Sequence, residues 1–218
     1  MCRTTIGLKV KDGVVLAVEK PIHSRLLKAG ANRRIHTVEL HAGVVGAGLA
    51  ADCRALALRA REESASHREN FATGIPGPML ADRLAMYVQA YTLYGSVRPF
   101  CGNLLMAAVD EDGSHLYMVE PSGVCWGYRG CAAGKGRQTA KTEIEKLDLD
   151  SMTVSQAVVE AAKIIYLAHD PAKDKDFELE MSWIGPESNN QHQIVPKEVL
   201  EAAIRVAKEN LAARMDYD

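Results

Sequence analysis

The sequence predicts an α+β protein built as a four-layer αββα sandwich, two antiparallel sheets flanked by helices. Three observations predict it. Apolar runs come in pairs joined by Asp-Gly turns, at Asp12-Gly13 and Asp112-Gly113, a strong hairpin signal. Blocks of strands are followed by blocks of helices, twice over, which means segregated layers rather than alternating βαβ units. Residues 14–18 form a nearly continuous β-branched run, as suits a strand covered on both sides.

Each element follows from local pattern. Residues 4–10 and 14–18 make the first hairpin, in which Ile6, Leu8 and Val10 alternate with Gly7 and Lys9. Residues 21–31 read as a loop, punctuated by Pro21 and Gly30. A third strand over 33–38 turns at His41-Ala42-Gly43 into a buried fourth over 44–47. Gly46-Ala47-Gly48 marks a close approach of backbones. Residues 49–71 read as one long helix, with Leu49, Cys53, Leu56, Ala57, Ala60 and Ser64 on one face. Arg54, Arg59, Arg61, Glu62 and Arg68 lie opposite. After a Gly/Pro-rich break, a second helix over 79–94 presents Leu80, Leu84, Tyr87, Val88 and Tyr91. Strands resume at 102–110 and 115–120, and Pro121-Ser122-Gly123 turns into a further run at 124–131. A short helix over 138–147 and a Thr153-capped helix reaching about residue 168 follow. Residues 177–184 alternate as a strand with Phe177, Leu179 and Met181 on one face, and Pro196 opens a last helix over 197–214. Residues 1–218 are expected to form a single domain.

Composition narrows the function. Of the 218 residues 47% are hydrophobic and 25% charged, which suits a globular core and argues against disorder. A formal net charge of -2 points to neither nucleic acid nor an anionic membrane as partner. No apolar run reaches the roughly 18–20 residues of a membrane span. The five cysteines, Cys2, Cys53, Cys101, Cys125 and Cys131, form no C-x-x-C pair and read as reduced, inert thiols of a cytoplasmic or nuclear protein. The seven histidines show no metal-ligand spacing, so no metal and no cofactor is expected. The Gly134-Lys135-Gly136 loop suggests phosphate binding. A P-loop, however, needs G-x-x-x-x-G-K-[ST], and here position 129 is Arg while Gly136 follows the lysine.

Several motifs carry a more specific signal. Glu120-Pro-Ser-Gly-x-x-x-Gly-Tyr is followed by Ala133-Gly-Lys-Gly-Arg-Gln-x-Ala-Lys-x-x-Ile-Glu. Ala50-Ala-Asp-Cys-Arg and Asp82-Arg lie on the two long helices, and Lys163-Ile-Ile-Tyr-Leu-Ala-His-Asp and Ile194-Val-Pro-Lys come later. With Thr4-Thr5 heading the first strand, these residues resemble the proteasome subunits, of N-terminal nucleophile hydrolase fold. Within that family they resemble the alpha subunits, the eukaryotic type-3 kind above all. The resemblance implies a noncatalytic member of a heteroheptameric alpha ring of the 20S core particle, stacked on beta rings that hold the protease sites. Family members normally begin earlier, with a Tyr-Asp gate segment and a helix ending in Gln-Val-Glu-Tyr-Ala. Neither occurs in residues 1–218: either this chain's own tail takes no part in the gate, or the start at residue 1 is a late one.

The competing chemical reading is an autoprocessed threonine hydrolase. Such an enzyme needs a free α-amino group on the nucleophilic Thr, a lysine that lowers its pKa and an acid that orients it. Set against the beta-type pattern, Arg3 falls at the catalytic threonine, Glu19 at the aspartate, Arg34 at the lysine and Lys135 at a supporting serine. Arginine stays protonated and is a poor proton shuttle. Thr4 and Thr5 then read as ordinary strand residues, and no catalytic residue is expected. In alpha subunits the resemblance assigns Arg34 a different task, lining a pocket between neighbours that takes the C-terminal carboxylate of a regulatory particle's tail. Gly48 is expected to leave room for that tail, and Arg33 is the adjacent alternative.

Overall fold

The computed structural model describes residues 4–22, 24, 26–28, 30–170 and 176–215. Strands β1 (Thr5–Val10) and β2 (Gly13–Pro21) form the first hairpin. Next come β3 (Ile35–Glu39), β4 (Ala42–Gly48) and the helices α1 (Ala50–Phe71) and α2 (Gly77–Leu93). They are followed by β5 (Gly102–Asp110), β6 (Gly113–Val119), β7 (Cys125–Gly127), β8 (Gly130–Ala133), α3 (Arg137–Ile144) and α4 (Val154–Ala168). The described chain closes with β9 (Phe177–Ile184), a 3-10 turn (Pro186–Ser188), β10 (Gln193–Ile194) and α5 (Lys197–Met215).

The strands form two five-stranded antiparallel sheets, ordered β10-β9-β2-β1-β8 and β3-β4-β5-β6-β7. The expected β-branched run becomes the centre of the first sheet, and β2 is buried from end to end. Three apolar clusters define the layers. Ile6, Leu8 and Val10 pack with Val158, Ala161 and Ile165 of α4 and with Ala203 and Ala207 of α5. Leu56 and Ala60 of α1 and Leu80 and Leu84 of α2 pack on Val44, Leu104 and Met106 of the second sheet. Val14, Leu16, Val45, Leu105 and Leu116 meet between the sheets. The order is therefore helices, sheet, sheet, helices, as the sequence predicts.

Small residues set the spacing of these layers. A Cβ at Gly7 would lie 2.7 Å from a Leu116 methyl of the opposite sheet, so the bare backbone there lets the sheets close. At the hairpin turn, Asp12 Oδ1 accepts from Val154 N at 2.9 Å and thereby caps the first turn of α4. Thr153 caps the same helix reciprocally with Gln156.

Two boundaries depart from expectation. The run read over 124–131 is two strands in different sheets, β7 paired with β6 and β8 paired with β1. The chain crosses between sheets at Tyr128-Arg129, where Tyr128 N donates to Leu116 O and Lys9 N donates to Arg129 O, each at 2.8 Å. A sheet switch leaves the apolar pattern intact, which is why the sequence reads as one strand. Leu49, expected on the apolar face of α1, is the half-exposed residue preceding the helix, whereas Asp52 and His67 are buried on that face. Asp52 is tolerated because Arg98 and the Cys101 amide both donate to it.

Candidate functional site

At the open end of the first sheet lie the residues that a threonine hydrolase would use. Thr4 and Thr5 are wholly buried. The Thr4 hydroxyl accepts a hydrogen bond from Gly136 N at 3.1 Å, and its backbone N–H points to Glu19 Oε2 at 3.4 Å. Glu19, also buried, accepts from His169 Nδ1 at 3.0 Å when that nitrogen carries the proton. His169 directly follows α4. Arg3, the residue read at the nucleophile's position, lies outside the described residues.

This arrangement joins Thr4, Glu19 and the Gly134 loop in one packed cluster. It also disposes of the phosphate reading. Gly136 N, one of the amides of the Gly134 loop, is engaged by the Thr4 hydroxyl and so is not free for a phosphate. A Cβ at Gly136 would lie 2.6 Å from the Thr4 hydroxyl and 2.9 Å from Ala168 O, so the loop is narrow because Thr4 and α4 press on it. A buried hydroxyl with an N–H aimed at it is a structural acceptor, not an attacking group.

Arg34 sits apart from that cluster, just before β3. Its backbone N–H donates to Glu180 Oε2 of β9 at 3.1 Å, and its Nη1 donates to Gly48 O at 3.2 Å. Burial pushes the Glu180 carboxyl up, while the Arg34 amide and the nearby charges of Lys20 and Arg33 pull it down. The structure thus brings Arg34 and Gly48 together. Glycine at position 48 is required within the fold itself: a Cβ there would lie 2.2 Å from Cys101 O of its own chain. Its carbonyl, not a vacancy beside it, is what meets Arg34. Nε of Arg34 is shielded from solvent and has no hydrogen-bond partner among the described residues. Arg33 is exposed.

The other reactive groups are quiet. Burial pushes the Cys131 thiol up to about 12 and the Cys125 thiol up to about 11. Among the described residues no cluster of three His, Cys, Asp or Glu is placed to hold a metal. No described helix is long and apolar enough to cross a membrane. Sequence reasoning missed His169, Glu180 and His192, whose partners lie more than a hundred positions away or on another sheet. No local pattern announces such pairs.

A model of the proteasome subunit family matches residues 2–184. The chain belongs to that family. It is 54% identical over 213 residues to a proteasome subunit alpha type-3 from Acanthamoeba castellanii, covering 98% of this chain and 84% of the relative. The alpha type-3 subunit of Arabidopsis thaliana is 51% identical, covering 99% and 86%. A probable proteasome subunit alpha type-7 of Saccharomyces cerevisiae is 51% identical, covering 95% and 74%. As a proteasome subunit of alpha type, the chain is matched over strands and helices of both halves, so the two sheets and their helix layers are the family fold.

Proposed function

We propose that the chain is a noncatalytic structural subunit of the alpha ring of the 20S core particle, acting in ubiquitin-dependent protein degradation in cytoplasm and nucleus. Residues 1–218 serve as one alpha-type unit. The supporting observation is near-full-length similarity to alpha type-3 subunits, in a chain whose Thr4 hydroxyl is buried and engaged by Gly136. Its partners are other proteasome subunits: alpha neighbours at its sides and beta subunits of the next ring. Neither nucleic acid nor membrane belongs to this reading.

Arg34 and Gly48 form the chain's share of a docking pocket for the C-terminal carboxylate of a regulatory particle's tail. Gly48 O already holds Nη1 of Arg34, which orients the guanidinium and leaves Nη2 to meet a carboxylate. Such a charge-assisted pair contributes about 1.5–3 kcal/mol when shielded. Particles carrying Arg34→Ala should assemble normally yet bind activator about tenfold or more weakly. Unchanged activator affinity would remove the pocket assignment. Size-exclusion chromatography of the native chain checks the ring role; elution as a monomer would overturn it.

A further inference from the structure

We propose that Arg33, Arg34, Arg54 and Arg61, gathered around His36, form a docking surface for an acidic segment of an adjoining polypeptide. The elements place them together. β3 is an edge strand of the second sheet. Ile35 points between the sheets, whereas Val38 packs with the α1–α2 cluster. His36 therefore shares the α1 side of the strand with Val38. On α1, Arg54, Leu58 and Arg61 fall on one helical face and all three are exposed. Arg61 Nε donates to Thr37 O at 2.8 Å, tying α1 to the strand edge and leaving its terminal nitrogens for a ligand. The half-exposed Leu58 between the two helix cations gives the surface an apolar floor.

Among the described residues this charge is not neutralised by a paired carboxylate. Arg59 is paired with Glu62 and Glu63, Arg68 with Glu39, Arg83 with Glu63, Arg98 with Asp52 and Arg129 with Asp150. Among the described residues, none of Arg33, Arg34, Arg54 and Arg61 has a carboxylate at salt-bridge distance. The acid that Arg33 acts upon is Glu180, whose Oε2 is already held by Arg34 N and lies 4.0 Å from Lys20 Nζ. Burial and the charges of Arg61, Arg54, Arg33 and Arg34 lower the pKa of His36. Four unscreened cations crowded around a neutral imidazole are relieved by an anion. The chain's overall charge is -2, so the basic character belongs to this patch and not to the protein as a whole, which favours acidic side chains of a protein over a nucleic acid. Strand addition is not the mode. The edge carbonyl of Thr37 is taken by Arg61, and the Arg34 N–H by Glu180.

The surface shares Arg34 with the tail pocket but rests on clustered charge, not on a free terminus. The probe is therefore a hexaglutamate peptide blocked at both ends, offered to the full 218-residue chain. Fluorescence anisotropy should show saturable binding that salt weakens. By NMR the pKa of His36 should rise on binding, because the carboxylates offset the arginines that hold it down. Arg54→Gln with Arg61→Gln should weaken binding about tenfold and abolish that rise. Arg54→Gln alone, which spares the bond to Thr37, should weaken it about threefold. The proposal is overturned if the peptide does not bind, if either variant binds as tightly as wild type, if His36 does not respond, or if an oligothymidylate of equal charge binds better. Loss of activator docking in Arg34→Ala with no effect of Arg54→Gln on the peptide would leave the pocket standing and remove this surface. The reverse pattern would remove the pocket alone.

Discussion

Thr4 acts as a buried hydrogen-bond acceptor that ties the first strand to the loop before α3. Its hydroxyl holds the amide of Gly136 across 132 positions of sequence. Thr4→Val would leave that amide without its partner in a tightly packed place and should lower stability by about 1–3 kcal/mol, read as a shift in urea midpoint. Particles assembled with the variant should retain every peptidase activity; loss of one without an assembly defect would revive the hydrolase reading. The same logic applies to Gly43. A Cβ there would lie 2.1 Å from the ring of His192, so Gly43→Ala should displace that imidazole and lower the melting temperature.

At the scale of elements, the first hairpin joins turn chemistry to helix capping. Asp12 and Gly13 were legible in the sequence as a turn, because Asp-Gly between two apolar runs has a local physical cause. That Asp12 would also cap α4 was not legible, since its partner Val154 is 142 positions away. Asp12→Ala should therefore lower stability by about 0.5–2 kcal/mol while leaving the hairpin in place, checked by denaturation and by amide exchange in the first turn of α4. The helices α1, α2 and α4 and the strands β5 and β9 were read with close bounds, their periods being long and uninterrupted. The β7–β8 sheet switch was not, because a chain leaving one sheet for another keeps the same alternation. For the candidate site the family resemblance named Arg34 and Gly48, and no local pattern announced the carbonyl contact that joins them. Register across a fold is a tertiary fact.

For the molecule as a whole, the two sheets are joined by a buried imidazole that titrates. His192 Nδ1 meets Thr37 Oγ1 of β3 and Nε2 meets Ser182 Oγ of β9, both at 2.9 Å. Burial lowers its pKa from 6.5 to about 4. In that window the unfolded chain binds the proton that the folded chain refuses, so stability rises with pH. The contribution is fully present above pH 6.5 and is lost as pH falls toward about 4; it amounts to about 3 kcal/mol. Urea midpoints measured across this range should fall on acidification, with a shallower fall in His192→Gln. The register of the first sheet has a consequence in time rather than energy. Val18 pairs with Glu180 and Thr5 with Ala133, so the central hairpin takes its neighbours from the far end of the chain. At about 5–20 residues per second of synthesis, β2 leaves the ribosome roughly 10–30 s before β9 exists. Through that interval the edge of β2 that pairs with β9 stays open, while its other edge is held by β1. The first sheet of a nascent chain of this design closes only after synthesis is nearly done.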